Sequence, residues 1–278
     1  STLNSRSEVE LRRKFKFKYS SQEWEGIPII SANMDTTGTF EVHDCLTKHK
    51  IITAFNKFYS AQDYKSRFYS KGLNSENYMV STGINDNDLV NVKEIIKEIG
   101  SKWICIDVAN GYMNKLVEFC KKVRKIYPNK IIVAGNVVSR EMTEELILNG
   151  QVDIVKVGIG PGSACTTRLK TGVGMPQLSA IIECADAAHG VGGHIIADGG
   201  ITCPGDMAKA FGAGADFVMV GGQFAGHDEN PGETRIESDG EKYKIFYGMS
   251  SDTAMKNHYG SMASYRSSEG RTIKVKYK

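Results

Sequence analysis

No apolar run in this sequence approaches the roughly 18 residues that a membrane-spanning helix needs. The opening from Ser1 to Asn4 is polar and carries no signal-peptide core. A soluble, membrane-free protein is expected. Charge of one sign is also missing, because 35 basic against 32 acidic side chains leave only +3, which argues against a nucleic-acid partner. The six cysteines, at 45, 105, 120, 165, 184 and 203, form no CxxC pair. That scatter fits reduced thiols in a cytosol better than a disulfide framework. His189 and His194 are five apart across a predicted helix end and the other histidines are isolated, so no two-ligand helical pair exists and they read as surface or structural groups. A GxGxxG following a strand is absent too, which excludes a Rossmann dinucleotide unit. Proline is scarce, 6 residues against 29 glycines, and the glycines crowd between Gly158 and Gly232.

What is present is a series of short β-branched or apolar runs. They are Ile27 to Ala32, Ile51 to Ala54, Tyr78 to Ser81, Trp103 to Val108, Ile131 to Ala134, Ile154 to Val157, Ile195 to Ala197 and Phe217 to Val220. Most begin about 23 to 28 residues apart, the room that a strand, a helix and two loops require. Ser139 suits an N-cap before Glu141 to Leu148, and Pro204 suits a first helical turn running toward Gly212. Strands apolar on both faces belong in a parallel sheet covered by helices, and eight such units close a TIM (β/α)8 barrel. An open doubly wound sheet is the alternative. Barrel active sites sit where strands end, and polar residues stand there: Asn33 and Asp35, Lys57, Asp107 and Asn110, Asn136, Asp198.

After the eighth run the periodicity stops. A long polar stretch, about 223–270, reads as a flap inserted in a single-domain chain. Thr234 to Ile236 and Tyr243 to Tyr247 flank Asp239-Gly240, a pair suited to a tight hairpin turn. The basic clusters Arg12 to Lys18 and Lys274 to Lys278 read as solvated faces.

The candidate chemistry lies in Gly158 to Arg168, a glycine-rich loop leaving the sixth strand. Glycines there let backbone groups converge on an ion or ligand. Cys165 is followed by the hydroxyls of Thr166 and Thr167 and by Arg168, whose charge is expected to favour the attacking thiolate. Gly199-Gly200 and Gly221-Gly222 end the seventh and eighth strands, where barrels often bind phosphate on backbone amides. With Asp198 placed to accept from ribose hydroxyls, a phosphorylated ribose ligand is expected.

The run from Gly158 to Arg168, together with Ala197 to Gly200, Val220 to Gly222 and Tyr247 to Ser251, resembles the IMP dehydrogenase/GMP reductase family over essentially the whole chain. Lys170 to Gln177, Glu183 to Gly190 and Ala263 to Thr272 look like its reductase branch. Two features agree. The connection from Tyr59 to Tyr78 is too short for the CBS modules usual in the dehydrogenases. No Arg-Tyr dipeptide, which activates water in them, occurs here; Tyr265-Arg266 has the reverse order.

The resemblance implies NADPH-dependent reductive deamination of GMP to IMP and ammonia, in purine nucleotide salvage. Cys165 would form a covalent thioimidate with C2, and Thr167 and Glu269 would shuttle protons. Glu269 lies in the flap, so the flap must fold over the barrel mouth. Ser163, Gly199, Gly200, Gly221 and Gly222 would hold the phosphate and Asp198 the ribose. Gly248, Met249, Ser250, Arg266, Ser267, Ser268 and Gly270 would read the purine. NADPH would lie against Lys57, Asp107, Val108, Ala109, Ile159, Gly160, Met249 and Tyr265, with Ser5 and Arg6 reaching in from a neighbouring subunit. Carbonyls of Gly160, Gly162 and Cys165 would bind potassium. A cytoplasmic homotetramer is implied.

Departures exist. Family reductases usually read His-Lys-His-Tyr where this chain has Asn56-Lys57-Phe58-Tyr59, which leaves NADPH against NADH preference open. The chain also begins past the family's N-terminal segment and ends before the helix due after the eighth strand, so truncation at both ends is expected. The alternatives are an IMP dehydrogenase lacking CBS modules and a non-catalytic nucleotide-binding barrel.

Overall fold

The computed structural model describes residues 3–238, 240–260 and 268–278. An antiparallel pair, β1 (Arg13–Lys16) and β2 (Glu23–Gly26), precedes the barrel. Eight strands follow: β3 (Ile29–Ser31), β4 (Ile52–Ala54), β5 (Tyr78–Thr82), β6 (Trp103–Asp107), β7 (Ile131–Val137), β8 (Ile154–Val157), β9 (His194–Asp198) and β10 (Phe217–Val220). Each pairs in parallel with the next, and β10 returns to β3 with Val218 opposite Ile29, closing the sheet on itself. This is the TIM barrel that the eight apolar runs predict, with boundaries moved by up to three residues, most at the end of β7.

Helices α1 (Phe40–Leu46), α2 (Ala61–Lys71), α3 (Asp86–Ile99), α4 (Asn114–Ile126), α5 (Arg140–Leu148), α6 (Thr167–Thr171), α7 (Gln177–Gly190) and α8 (Pro204–Gly212) connect the strands. Local chemistry sets their ends. Ser60 and Asp63 form a reciprocal capping box at α2, and Pro204 takes the first turn of α8, where its missing N–H costs nothing. Ser139 stands at the N-cap of α5, but its side chain makes no capping hydrogen bond. Beyond β10 come β11 (Thr234–Ile236), β12 (Lys242–Tyr247), α9 (Asp252–Tyr259) and β13 (Thr272–Lys276), the three strands forming one antiparallel sheet. Gly240 turns between β11 and β12 with φ 81°, a conformation natural to glycine; Asp239 lies outside the described residues. Among the described residues no helix is long and apolar enough to cross a membrane.

Side chains alternate along each barrel strand, so Val155 and Val157 pack outward against the helices while Ile154 faces the interior. The lower end of that interior is stoppered by the N-terminal hairpin. Phe15 lies 4.4 Å from Phe217, Phe17 5.4 Å from Trp103, and Trp24 5.9 Å from Trp103, ring centre to ring centre. Phe217 and Trp103 begin their strands, so these rings close the end opposite the strand termini. This corrects the reading of Arg12 to Lys18 as a solvated face: Lys14 and Lys16 are exposed, but Phe15 between them packs half-buried against the core and Phe17 beyond them is part of it. Lys274 and Lys276, in β13, are exposed as that reading expects of their cluster, and pair with Glu237 and Glu241.

Two acidic residues anchor this lower end. Buried Asp153 accepts from the Tyr19, Ser20 and Ile132 amides and from Arg124 Nη2 at 2.6 Å. Asp216 gathers both of the histidines that sequence spacing keeps apart, His189 Nε2 at 2.9 Å and His194 Nδ1 at 3.1 Å. His194 Nε2 lies 2.9 Å from the Lys16 carbonyl, which can only accept, so that nitrogen carries a proton. Burial pushes the His194 imidazole down, but the hydrogen bond and charge of Asp216 outweigh it and raise the ring above its ordinary value. A raised imidazole contributes stability that is complete below the ordinary value of 6.5 and is lost as pH climbs through the raised one. The urea midpoint of the protein should therefore decline as pH rises from 6.5 into the alkaline range, and His194→Gln should flatten that decline. Equal slopes for both proteins would remove His194 from the account.

Candidate active site

The loop after β8 and the chain after β12 meet at the C-terminal mouth of the barrel. Cys165 and Gly270 form an antiparallel bridge, in which the Thr166 amide donates to the Glu269 carbonyl at 2.7 Å and the Arg271 amide to the Ala164 carbonyl at 2.8 Å. A third strand of contact comes from Gly248 and Ser250. The Gly248 amide donates to the Arg271 carbonyl at 3.2 Å, and the Glu269 amide to the Ser250 carbonyl at 3.2 Å. Close approach explains the glycines: a Cβ on Gly248 would stand 3.0 Å from the Ala164 carbonyl oxygen, and one on Gly270 2.8 Å from the Ser251 nitrogen. Phe246, Ala164 and Ala225 pack with Met34, Ile273 and Val275 beneath this junction and seat the sheet on the mouth.

The bridge aligns three side chains. The Cys165 thiol donates to Thr167 Oγ1 at 3.2 Å, and the Thr167 hydroxyl donates to Glu269 Oε2 at 2.9 Å. Cys165 is half-buried, whereas Cys105 and Cys184 are buried, and burial pushes their thiols up to about 12 and about 11. Those two are packing residues. A sulfur with a hydroxyl and a carboxylate in series can pass its proton outward and receive it back.

Arg168 is not at the sulfur. Its guanidinium donates to the Ile159 carbonyl at 3.1 Å and to the Met175 carbonyl at 2.5 Å, so its charge shapes the loop. The expectation that it favours the thiolate directly is corrected by that geometry.

Around this centre the other loops converge. Gly199 and Gly200 have φ of 86° and 76° and lie against Pro161. Gly222 opens a single 3-10 turn, Gly222–Phe224, and faces the Ser163 hydroxyl. Gly221 abuts the Met34 sulfur. The Met249 sulfur meets the Asp35 amide at 3.3 Å, and the Ser268 hydroxyl donates to the Gly270 carbonyl at 2.9 Å. Asp35 also takes the Tyr247 hydroxyl at 2.9 Å and His258 Nε2 at 2.7 Å, tying α9 to the loop after β3. Burial, and then the Asp35 charge, push the Tyr247 hydroxyl up to about 12, which keeps it a donor. Phe58, where the family pattern has histidine, stacks on His258 with ring centres 3.5 Å apart.

The same mouth holds a charged group whose central residue, Lys156, sequence reading missed. Lys156 Nζ is 2.7 Å from both Asp107 Oδ1 and Asp198 Oδ2. Asn136 Nδ2 donates to Asp198 Oδ2 at 2.9 Å, and Asn33 Nδ2 to Asp107 Oδ2 at 3.1 Å. Burial works against the charge on Lys156, but the two carboxylates outweigh it and hold the amine well above its ordinary value. Burial likewise raises Asp107, and Lys156, with a smaller share from Lys57, overcomes it and lowers that carboxyl. A lysine at an inward position of an apolar strand, Ile154-Val155-Lys156-Val157, was the available signal.

The remaining candidates are spread out. Lys57 is half-buried with its ammonium 5.5 Å from the Phe58 ring centre; Val108 is half-buried, Ala109 exposed and Ile159 buried. Gly160 has φ 73° beside Arg168, and the Gly162 carbonyl accepts the Cys165 amide at 3.0 Å. Ser5 and Arg6 sit exposed in a one-turn helix near the N-terminus, with only local hydrogen bonds. Tyr265, Arg266 and Ser267 lie outside the described residues.

A closed parallel α/β barrel with a hydrogen-bonded thiol at its mouth defines a class of loop-built enzyme sites. Comparison with known proteins narrows the class. Residues 5–277 match the model of the IMP dehydrogenase / GMP reductase domain. The chain is 56% identical over 280 residues to the GMP reductase of Caenorhabditis elegans, covering 100% of this chain and 78% of that protein. It is 58% identical over 279 residues to GMP reductase 1 of Mus musculus, covering 100% and 80%. It is 57% identical over 277 residues to the GMP reductase of Enterobacter sp., covering 99% and 79%. The chain belongs to the IMP dehydrogenase / GMP reductase family.

The bridge yields a prediction. Gly270→Ala puts a methyl group against backbone at Ser250 and Ser251, where nothing can rotate away. It should destabilise the protein by about 1–3 kcal/mol, read as a lowered urea midpoint. An unchanged midpoint would show that the bridge yields without cost.

Proposed function

We propose that this chain is an NADPH-dependent oxidoreductase that deaminates GMP reductively to IMP and ammonia, a purine-salvage reaction. The observation that carries the reading is the series Cys165, Thr167, Glu269, hydrogen-bonded at 3.2 and 2.9 Å. The printed names of its relatives point the same way.

Cys165 loses its proton through the Thr167 hydroxyl to the Glu269 carboxylate, and the sulfur bonds to C2 of guanine. Glu269, now protonated, returns that proton through Thr167 to the departing amine. The C2–N bond breaks with its electron pair on nitrogen, ammonia leaves, and a thioimidate remains on Cys165. An amine departs only when protonated, so a carboxylic acid and a hydroxyl beside the sulfur are the groups the step requires. Bound NADPH supplies a hydride to C2. Cys165 then departs with the electron pair of the C–S bond, giving IMP.

Ser163 and the amides of Gly199, Gly200, Gly221 and Gly222 are assigned to the phosphate. Asp198 is assigned to the ribose, and Gly248, Met249, Ser250, Arg266, Ser267, Ser268 and Gly270 to the purine. Lys57 forms no ion pair among the described residues, and Asn136 Oδ1 is a buried acceptor without a partner there. A phosphate-bearing cofactor with amide donors fits both. Asp107, Val108, Ala109, Ile159, Gly160, Met249 and Tyr265 complete its assigned contacts, with Ser5 and Arg6 from a neighbouring subunit of a cytoplasmic homotetramer. The Gly160 and Cys165 carbonyls accept no hydrogen bond among the described residues, which fits their assignment, with Gly162, to potassium.

The test is incubation of the chain with GMP and NADPH. NADPH consumption with ammonia release is expected, and Cys165→Ser and Glu269→Gln should each lower kcat by at least about a hundredfold. NADH formation from IMP and NAD, without NADPH consumption from GMP, would overturn the direction of the reaction.

A further inference from the structure

Lys156 is 3% exposed in its side chain, on the inward face of β8 one turn of the pleat above Ile154. A lone buried ammonium is costly, and a hydrophobic residue of similar volume is often as stable as a buried ion pair. Its placement is also unlike that of a packing residue. The ammonium reaches the last residue of β6, Asp107, and the last residue of β9, Asp198, at 2.7 Å each. It therefore spans the mouth between two strand ends that are not neighbours in the sheet.

The contacts are one-sided on Asp198. Lys156 and Asn136 both bind Oδ2. Oδ1 accepts no hydrogen bond among the described residues and is not among the buried unpartnered atoms. One oxygen is anchored and the other is left open to the mouth.

We propose that Lys156 is the positioning residue that joins the nucleotide half of the site to the cofactor half, by orienting Asp198 and Asp107 on a single ammonium. The inference rests on the reading given under the proposed function, which assigns those two carboxylates to ribose and to cofactor, and it deepens that reading. Without the ammonium, two like charges share the mouth with no cation between them, and Asp198 loses the fixed direction of its free oxygen. The two halves then respond together to one side chain on a third strand.

The experiment measures GMP binding by calorimetry and GMP turnover with NADPH, for the full chain and its variants. Lys156→Met should weaken GMP binding by about tenfold or more, the size of one charge-assisted hydrogen bond. It should also lower kcat, as Asp107→Asn should. Asp198→Asn should weaken GMP binding, and adding Lys156→Met to it should change that binding by less than about twofold, because the lysine acts through the aspartate. Should Lys156→Met fail to fold by circular dichroism, the charge-balanced Lys156→Met/Asp107→Asn pair is compared with Asp107→Asn alone. About tenfold weaker GMP binding in the pair supports the proposal. Wild-type GMP binding in Lys156→Met, full multiplication of its loss with that of Asp198→Asn, or equal binding in the charge-balanced comparison would overturn it and leave Lys156 a stabilising residue. A wild-type chain that binds neither GMP nor IMP would instead overturn the functional reading, and the inference with it.

Discussion

Two backbone hydrogen bonds, from the Thr166 amide to Glu269 and from the Arg271 amide to Ala164, hold Cys165, Thr167 and Glu269 in one hydrogen-bonded series. They join residues about a hundred positions apart, and no side-chain attraction would hold a flexible carboxylate to a thiol with comparable direction. A β-bridge fixes both partners by their main chains, so the Glu269 side chain leaves from a defined point. The glycines at 248 and 270 are the condition for it, because any larger residue would push the strands apart. The alignment of thiol, hydroxyl and carboxylate is thus a consequence of main-chain geometry, and it is seated on the sheet beneath.

The barrel supplies the counterpart. Closing the sheet between β10 and β3 leaves no edge, and it brings the ends of β6, β7, β8 and β9 around one opening. Lys156, Asp107, Asp198 and Asn136 arise from four of those strands, and none is adjacent to another in sequence. The opening therefore carries two kinds of polar chemistry: a relay of thiol, hydroxyl and carboxylate on the loop side, and an ion-paired group on the strand side. The family membership of the chain fits this division, since one fold has been fitted with loops specific to its reaction.

Much of the fold was legible because parallel strands buried on both faces are continuous apolar runs, and all eight stand out in the sequence. The N-terminal hairpin did not, because Arg12 to Lys18 alternates lysine with phenylalanine and the charges dominate its composition; only a period of two separates Phe15 and Phe17 from a solvated stretch. Lys156 was hidden for the opposite reason, one polar residue inside an apolar run. The loop around Cys165 was conspicuous through its glycines, yet proximity in sequence misplaced Arg168, whose long side chain folds back onto carbonyls at Ile159 and Met175. Sequence gives the neighbours along the chain, and rotamers decide which of them touch. The meeting of His189 and His194 on Asp216 was equally invisible, as it depends on where β9 and β10 begin in space.

The aromatic stopper beneath the barrel has a kinetic side. With Phe15, Phe17 and Trp24 packed on Trp103 and Phe217, the lower end offers no passage. Among the described residues the way to the sulfur is from the opposite end, where the strands stop and Cys165 stands half-buried. Under the proposed reaction two molecules would share that threshold, so the last to enter would obstruct the first until it had gone.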